Sequence, residues 1–276
     1  MEKSNYIKYL LSVSYIFFLL KIFAQNTELV SARSTSLATC ITTLNDLTLI
    51  NVNPTNLVSV KKFSAGLQYE NSIVLPELQN TGFVFAKQVG NGGIGVGLQT
   101  FGCNFYRILT CGLNYGIKLT DELNFGVHLG IKNFSIQNYG NRTIPQLSLA
   151  FQGKISNGLN YGVTIQSIGK EYEKLKGVNS ILFCLGVKYR SSESLSIYSE
   201  IEKSLISPMR IKVAFEYQPL KSMYLRVGVL TSNYQFSGGF GCKIKEKYRF
   251  DFGSAWQPIT GLSFQVGILF YVNENG

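Results

Sequence analysis

Apolar and polar residues alternate with a period of two along most of this chain. Between residues 121 and 132, each odd position from Leu123 to Ile131 is apolar, and each even position from Asn124 to Lys132 is polar or glycine. Successive side chains of a β-strand point to opposite faces, so this stretch predicts a strand with one apolar and one polar face. The same pattern recurs in segments 63–73, 80–89, 92–101, 105–119, 122–135, 143–155, 158–168, 179–190, 194–204, 208–218, 222–232, 234–246, 247–256 and 260–272.

The connections between these segments alternate between short turns and longer loops. The short turns cluster at residues 90–93, 120–122, 156–158, 191–193 and 219–221. An even number of antiparallel strands can close into a barrel with both chain ends on one side, and outer-membrane barrels have short turns on that side. The pattern predicts an all-β fold, a single transmembrane antiparallel β-barrel of about 14 strands over residues 63–272.

The composition of the two strand faces separates a membrane barrel from a soluble β-sandwich. Only 15% of the residues are charged, and the polar face is rich in glycine, serine, threonine and glutamine. The apolar face often carries aromatic residues near strand ends, such as Tyr115, Tyr189, Tyr217 and Trp256. Aromatic girdles at the membrane boundary and small residues in a crowded lumen favour the membrane barrel.

The first residues have the layout of a secretory signal peptide. Lys3 and Lys8 precede an apolar run at residues 10–20, and Ala24 is a small residue suited to cleavage. We therefore predict a signal peptide at residues 1–24 and export to the outer membrane; the alternative is an uncleaved anchor. Residues 273–276 form a C-terminal tail beyond the last predicted strand.

Residues 25–62, hereafter the plug segment, differ from the rest of the chain. They show no sustained alternation, and they contain a cluster of turn-forming residues at 51–57 in which Pro54 opposes a long strand. We interpret this segment as a compact lumenal or periplasmic lead-in to the barrel. It is expected to contain a short helix near residues 37–44.

The polar face of the predicted strands carries a set of charged side chains and the only histidine. This predicted lumen lining consists of His128, Lys132, Lys188, Glu200, Glu202, Arg210, Lys212, Glu216, Arg226, Arg249 and Asp251. Hairpin register places the carboxylates of one strand opposite the cations of the next, and each such pair contributes about 0.2–1 kcal/mol. Two interpretations follow: an ion-pair ladder that fills a narrow lumen, or a basic lining that selects an anionic solute.

Other functional classes lack support in the sequence. His128 has no nucleophile or carboxylate at a catalytic spacing, so we predict a non-enzymatic protein. The five cysteines are widely spread without a metal-binding pair, and no cofactor or metal site is predicted. A Cys103–Cys111 disulfide across a hairpin is conceivable, but the sequence favours five free thiols. The net charge of +10 is scattered and does not predict nucleic-acid binding.

Short motifs along the chain resemble those of a known family of barrels. They lie at residues 32–37, 44–46, 53–57, 208–217, 225–228 and 250–253. Together they resemble the PorV/PorQ-like branch of the FadL superfamily. The resemblance implies a fourteen-stranded outer-membrane barrel whose N-terminal segment enters or plugs the lumen. It assigns Arg33, Asp46, Asn53 and Pro54 to that plug.

The resemblance also implies a function. Members of this branch serve the type IX secretion pathway as partners of the translocon or of secreted cargo, which makes a secretion accessory the first hypothesis. A FadL-like passive transporter of hydrophobic small molecules is the alternative, and a purely structural barrel is the third. The predicted outer loops are short, and Ser31 and Thr55 stand where the family has glycine and alanine. Outer-membrane lipid, translocon components or cargo, and a hydrophobic ligand are the expected partners.

Overall fold

A computed structural model describes residues 31–167, 181–204, 207–231, 234–245 and 247–272. Fourteen antiparallel strands form a closed barrel in which each strand pairs with its neighbours in the chain and β1 pairs with β14. The strands are β1 (Phe63–Ser72), β2 (Gln79–Val89), β3 (Gly92–Gly102), β4 (Tyr106–Thr120), β5 (Leu123–Ile136), β6 (Gly140–Ser156), β7 (Leu159–Gln166), β8 (Leu182–Arg190), β9 (Leu195–Ser204), β10 (Arg210–Leu220), β11 (Met223–Leu230), β12 (Gln235–Ile244), β13 (Tyr248–Gln257) and β14 (Gly261–Val272).

The structure confirms the predicted fold class. Each observed strand begins and ends within three residues of the segment predicted from alternation. The predicted signal peptide (1–24), the start of the plug segment (25–30) and the tail (273–276) lie outside the described residues, so the proposed division of the chain stays a prediction there. Most of the predicted loop 169–178 also lies outside them.

The barrel is apolar outside and polar inside, the reverse of a soluble protein. On β4 and β5, which pair with each other, the outward Leu113 and Leu129 are 66% and 57% exposed, whereas the inward His128 is 1% exposed. Exposed apolar side chains recur around the wall on every strand pair, which is the surface that lipid tails cover in a membrane barrel.

The plug segment lies inside the barrel and contains three short helices. They are α1 (Ala32–Ser36) and the 3₁₀ helices η1 (Leu47–Leu49) and η2 (Pro54–Ser59). The predicted helix at 37–44 is wrong. The Ser31 hydroxyl accepts a hydrogen bond from the Ser34 amide and starts α1 earlier, and the positive φ angles of Ala38 and Thr39 prevent its continuation.

The apolar core forms where the plug segment meets the inner wall. One cluster packs plug residues such as Leu37 and Leu44 against Leu182 and Tyr198 of the wall, and a second packs Leu57 and its neighbours against the wall. Burying an aliphatic side chain of this size stabilises the folded state by about 1.5–3 kcal/mol. The plug segment therefore contributes to two of the buried apolar clusters, and a third, formed by Ile108, Phe134 and Ile144, lies within the wall.

Strand pairing is continuous around the wall. In the described residues, register shifts occur between β4 and β5, β6 and β7, and β10 and β11, and each lies next to a short turn. The five cysteines are free, so the Cys103–Cys111 disulfide is absent and the free-thiol interpretation agrees with the structure. No helix among the described residues has the length and apolarity needed to cross a membrane.

Candidate functional site

The first anchor of the plug segment is a buried ion pair with the wall. Arg33 on α1 donates two parallel hydrogen bonds to Glu216 on β10, with Nε–Oε2 at 2.8 Å and Nη2–Oε1 at 2.6 Å. Its third nitrogen, Nη1, donates to the backbone oxygen of Asn45 at 2.8 Å. This bidentate geometry holds an arginine in a fixed orientation. Burial alone would lower the pKa of Arg33, but the Glu216 charge raises it well above its usual value, so Arg33 stays charged.

Glu216 continues this anchor along the wall. Its Oε2 also accepts from Arg226 Nε at 2.7 Å, and Arg226 Nη1 lies 2.8 Å from Asp251 Oδ1. Arg249 closes the chain with Nε 2.7 Å from Asp251 Oδ2. Hairpin register predicts the Glu216–Arg226 pairing, and the structure contains it. Three arginines thus share two wall carboxylates inside the barrel.

The second anchor joins the plug backbone to Glu200 on β9. The amide nitrogens of Ile41 and Thr42 donate to Glu200 Oε2 at 2.9 and 2.8 Å, and the Thr42 hydroxyl donates to the same oxygen. Lys212 Nζ donates to Glu200 Oε1 and to the Thr39 backbone oxygen, each at 2.8 Å. Because the Glu200 carboxylate and the Lys212 ammonium both bond the plug backbone, this anchor depends on the backbone path of the plug segment more than on its side chains.

The remaining wall cations of this region follow the predicted register. Lys212 Nζ also lies 2.7 Å from Glu202 Oε2, and Arg210 pairs with the other oxygen of Glu202. The atoms of Cys184, Glu200 and Glu202 lie within 4.8 Å of one another, a spacing compatible with a metal ion. The Lys212 ammonium already supplies a positive charge between the two carboxylates, so the arrangement is complete as an ion-pair cluster.

A hydrogen-bonded network supports the other side of the plug segment. His128 Nδ1 lies 2.8 Å from Asn114 Oδ1, and Asn114 donates to Asn51 Oδ1 of the plug segment at 2.9 Å. Lys132 is buried four residues further along β5, with its ammonium 6.0 Å from the centroid of the Phe134 ring. The arrangement makes His128 part of a hydrogen-bonded contact between wall and plug.

The remaining predicted plug residues stabilise the fold of the segment itself. Asp46 caps η1 by accepting from the Thr48 amide and hydroxyl, at 3.1 and 2.7 Å. Asn53 donates to the backbone oxygens of Ile41 and Thr42, which joins the two halves of the segment. Pro54 opens η2 at a position where its missing N–H costs nothing.

Asp46 gives the plug segment an expected dependence on pH. Burial would raise the pKa of this carboxyl, but the charges of Arg249 and Arg33 and the bond from Thr48 outweigh burial and lower it. A lowered pKa stabilises the folded state above the unfolded pKa of about 3.9, and that contribution is lost as pH falls through the lower folded value. We expect the free energy of unfolding in urea to fall between pH 6 and pH 3. Asp46→Asn keeps the cap and should reduce this fall; an identical pH profile in the variant would contradict the assignment.

Glycines of the inner wall provide the space in which the plug backbone sits. A Cβ at Gly126 would lie 2.6 Å from both the Pro54 carbonyl carbon and the Thr55 nitrogen, and one at Gly228 would lie 2.6 Å from the Ala38 nitrogen. Real Cβ atoms do not approach backbone this closely. The glycine-rich polar face predicted a crowded lumen, but which glycines meet the plug segment was not predictable from alternation.

Among the described residues, one cavity lies at each end of the plug segment. The loop-side cavity, of about 240 Å³, is bounded by plug residues including Ile41 and Val52 and by loop residues including Leu75. The terminal-side cavity, of about 430 Å³, lies near the chain ends and is bounded by plug residues including Arg33 and Leu47. The plug segment lies between them.

Sequence reasoning missed one wall residue of the anchors. The ring of Tyr198 on β9 is fully buried, and its hydroxyl donates to Glu216 Oε1 at 3.1 Å. Its position has the same parity as Glu200 and Glu202, which is the signal that could have identified it as inward-facing. Lys188 and Arg210 are half-buried, whereas the other predicted lining residues are buried.

Comparison with known proteins identifies the fold. No protein-family model matches the sequence, and no curated protein matches it. A deltaS2 mutant of the TodX monoaromatic hydrocarbon channel superposes with a TM-score of 0.70 at 10% identity, over 91% of this chain and 100% of that chain. The toluene transporter TbuX of Ralstonia pickettii superposes with a TM-score of 0.65 at 11% identity, over 88% of this chain and 97% of that chain.

A FadL homologue from Pseudomonas aeruginosa has the same architecture, with a TM-score of 0.62 at 10% identity over 88% of this chain and 98% of that chain. The similarity is one of fold, and it does not single out the PorV/PorQ-like branch. The similar structures are described as channels and transporters. At these identities the comparison establishes the fold, and this chain is therefore a plugged fourteen-stranded barrel with the fold of FadL-type outer-membrane channels.

Proposed function

We propose that this protein is a passive channel for small hydrophobic compounds in the outer membrane. The observation that carries the proposal is the match of nearly the whole chain to monoaromatic hydrocarbon channels. The apolar outer surface of the barrel supports the membrane location. A hydrocarbon channel is the alternative function predicted from the sequence, and the fold comparison favours it over a secretion accessory.

The loop-side cavity is the proposed entry site for the solute. Its lining includes the apolar side chains of Leu75, Leu78, Phe101, Leu182 and Leu230. An apolar cavity of about 150 Å³ is large enough for benzene, so about 240 Å³ can hold a single-ring compound. Because the plug segment separates this cavity from the terminal-side cavity, we propose that passage requires the plug segment to move.

Filling the loop-side cavity tests the proposal. Ala255 lines the cavity, and Ala255→Phe should occupy part of it. In a hydrophobic pocket, a mismatch of one methylene group changes the discrimination between ligands by about tenfold or more. We expect the initial rate of radiolabelled toluene uptake, in host cells without another hydrocarbon channel, to rise with the wild-type protein and to fall by about tenfold with Ala255→Phe.

The matched control is Val187→Phe, a substitution of similar kind on the outward face of β8, where the side chain is 38% exposed. It should leave uptake unchanged at equal expression in the outer membrane. No increase in uptake by the wild-type protein, or equal uptake by the two variants, would contradict the proposed channel.

A closed barrel that serves as a secretion accessory is the second candidate. It is favoured by the two buried anchors, which hold the plug segment through Glu216 and Glu200. Such a protein would bind a translocon component or secreted cargo through its loop or terminal rim. Copurification of the same partner from native membranes, together with absent toluene uptake, would support this candidate over the channel.

A further inference from the structure

The terminal-side cavity carries positive charge that the protein does not neutralise. Six basic residues line it, against two acidic ones, Glu193 and Glu216. The basic residues are Arg33, Lys61, Lys188, Arg190, Lys243 and Arg249.

The buried arginines of this cavity are already paired. Arg33 bonds Glu216, and Arg249 bonds Asp251 just behind the lining. Their charges belong to the first anchor and its continuation along the wall. The two arginines form one wall of the cavity, but their paired charges do not account for its excess positive charge.

The excess comes from lysines whose ammonium groups lie against aromatic rings and form no direct ion pair among the described residues. Lys188 Nζ lies 5.2 Å from the centroid of the Tyr198 ring, and Lys243 Nζ lies 5.6 Å from that of Tyr224. Within the described part of the chain, neither ammonium forms an ion pair with a carboxylate. An aromatic face attracts a cation and holds it in place without adding a negative charge that would neutralise it.

We propose that the terminal-side cavity binds a small soluble oxyanion, a phosphate or carboxylate group, through Lys188 and Lys243. A concave site lined by one sign of charge concentrates counter-ions more strongly than an open surface does. The exposed Lys61 and Arg190 lie at its rim, where they attract an anion toward the two half-buried ammonium groups. The cavity is bounded by the plug segment and the inward faces of the strands, so a soluble anion fits it better than the headgroup of a lipid outside the barrel.

This site goes beyond the proposed hydrocarbon channel and does not depend on it. The loop-side cavity and the oxyanion site lie on opposite sides of the plug segment, and their linings share no cation. Failure of toluene uptake would therefore leave the anion site intact, and the reverse also holds.

Equilibrium binding of inorganic phosphate tests the proposal. The full-length protein is purified in an uncharged detergent free of anionic lipid and titrated with radiolabelled phosphate at low ionic strength, because salt screens partly exposed charges. We expect saturable binding by the wild type and a loss of affinity of at least about tenfold in the double variant Lys188→Gln/Lys243→Gln. A second titration with benzoate, which carries a carboxylate, should again give a higher affinity for the wild type than for the double variant.

The matched control removes two charges from elsewhere on the barrel. Lys87→Gln/Lys154→Gln alters two exposed lysines that do not line the cavity, and its affinity should stay within about twofold of the wild type. Absence of saturable binding by the folded wild type, or an equal loss in both double variants, would overturn the proposal. Binding that appears only when phosphatidylglycerol is added to the micelles would also overturn it, because the ligand would then be a lipid headgroup.

Discussion

Replacing Glu216 with glutamine is expected to loosen the plug segment and to lower the free energy of unfolding by about 3–5 kcal/mol. Glu216 is shared by Arg33 of the plug segment and Arg226 of the wall, and all three are buried. Without its negative charge, the buried guanidinium group of Arg33 loses its counter-ion and that of Arg226 keeps only Asp251, which costs more than an exposed ion pair contributes. The strand ladder does not use this side chain, so the barrel wall should remain.

Two measurements distinguish a loosened plug from an unfolded protein. Urea unfolding reports the loss of stability, and ion conductance across a planar lipid bilayer reports an opened lumen. Glu216→Gln should raise conductance, whereas Glu122→Gln, on an exposed turn residue at the same end of the barrel, should change neither quantity. In the double variant Arg33→Gln/Glu216→Gln the loss should be smaller than the sum of the single losses, because the two residues interact directly. Additive losses would contradict the first anchor.

Adding a single methyl group to the inner wall at Gly126 should have the second largest effect. The Cβ of Gly126→Ala would lie 2.6 Å from backbone atoms of Pro54 and Thr55, and a backbone cannot move aside as a flexible side chain can. Overpacking of this kind costs about 1–3 kcal/mol. We expect the variant to lose stability by that amount in urea and to show higher conductance as the plug segment is displaced.

Gly238→Ala is the matched control for this substitution. It places the same methyl group on a strand of the same barrel, but the nearest atom, the Arg226 backbone oxygen, lies at an ordinary 3.6 Å. Any change in strand propensity caused by alanine should be common to both variants. Equal stability and equal conductance of the two variants would show that the plug segment does not rest on Gly126.

Much of the barrel was predictable because its signals are local. Alternation along 121–132 assigns Leu129 to the outer face and His128 to the inner face, since successive residues of any strand point in opposite directions. The pairing of Glu200 with Lys212 follows from a single hairpin register. Both arguments involve residues close together in the chain, and both agree with the structure.

The plug segment was predictable only in outline. Its lack of alternation and its Pro54 turn indicated a separate element, but the helix was expected at 37–44 and lies at Ala32–Ser36. The error arose because the cap formed by Ser31 and the chain reversal at Ala38 and Thr39 depend on specific backbone angles, which no periodic pattern encodes. The resemblance assigned Arg33 to the plug without its partner.

The sequence by itself determined the strand number, the inside and outside faces of the wall and the pairing of adjacent charged strands, because each of these depends on period two and on short connections. Only the tertiary structure decided that Arg33 reaches Glu216, 183 positions away, that Gly126 meets Pro54, and that cavities with different linings lie at the two ends of the plug segment. Such contacts form when the closed barrel encloses the plug segment. They depend on matching shape and charge between distant segments, for which the chain carries no local signal.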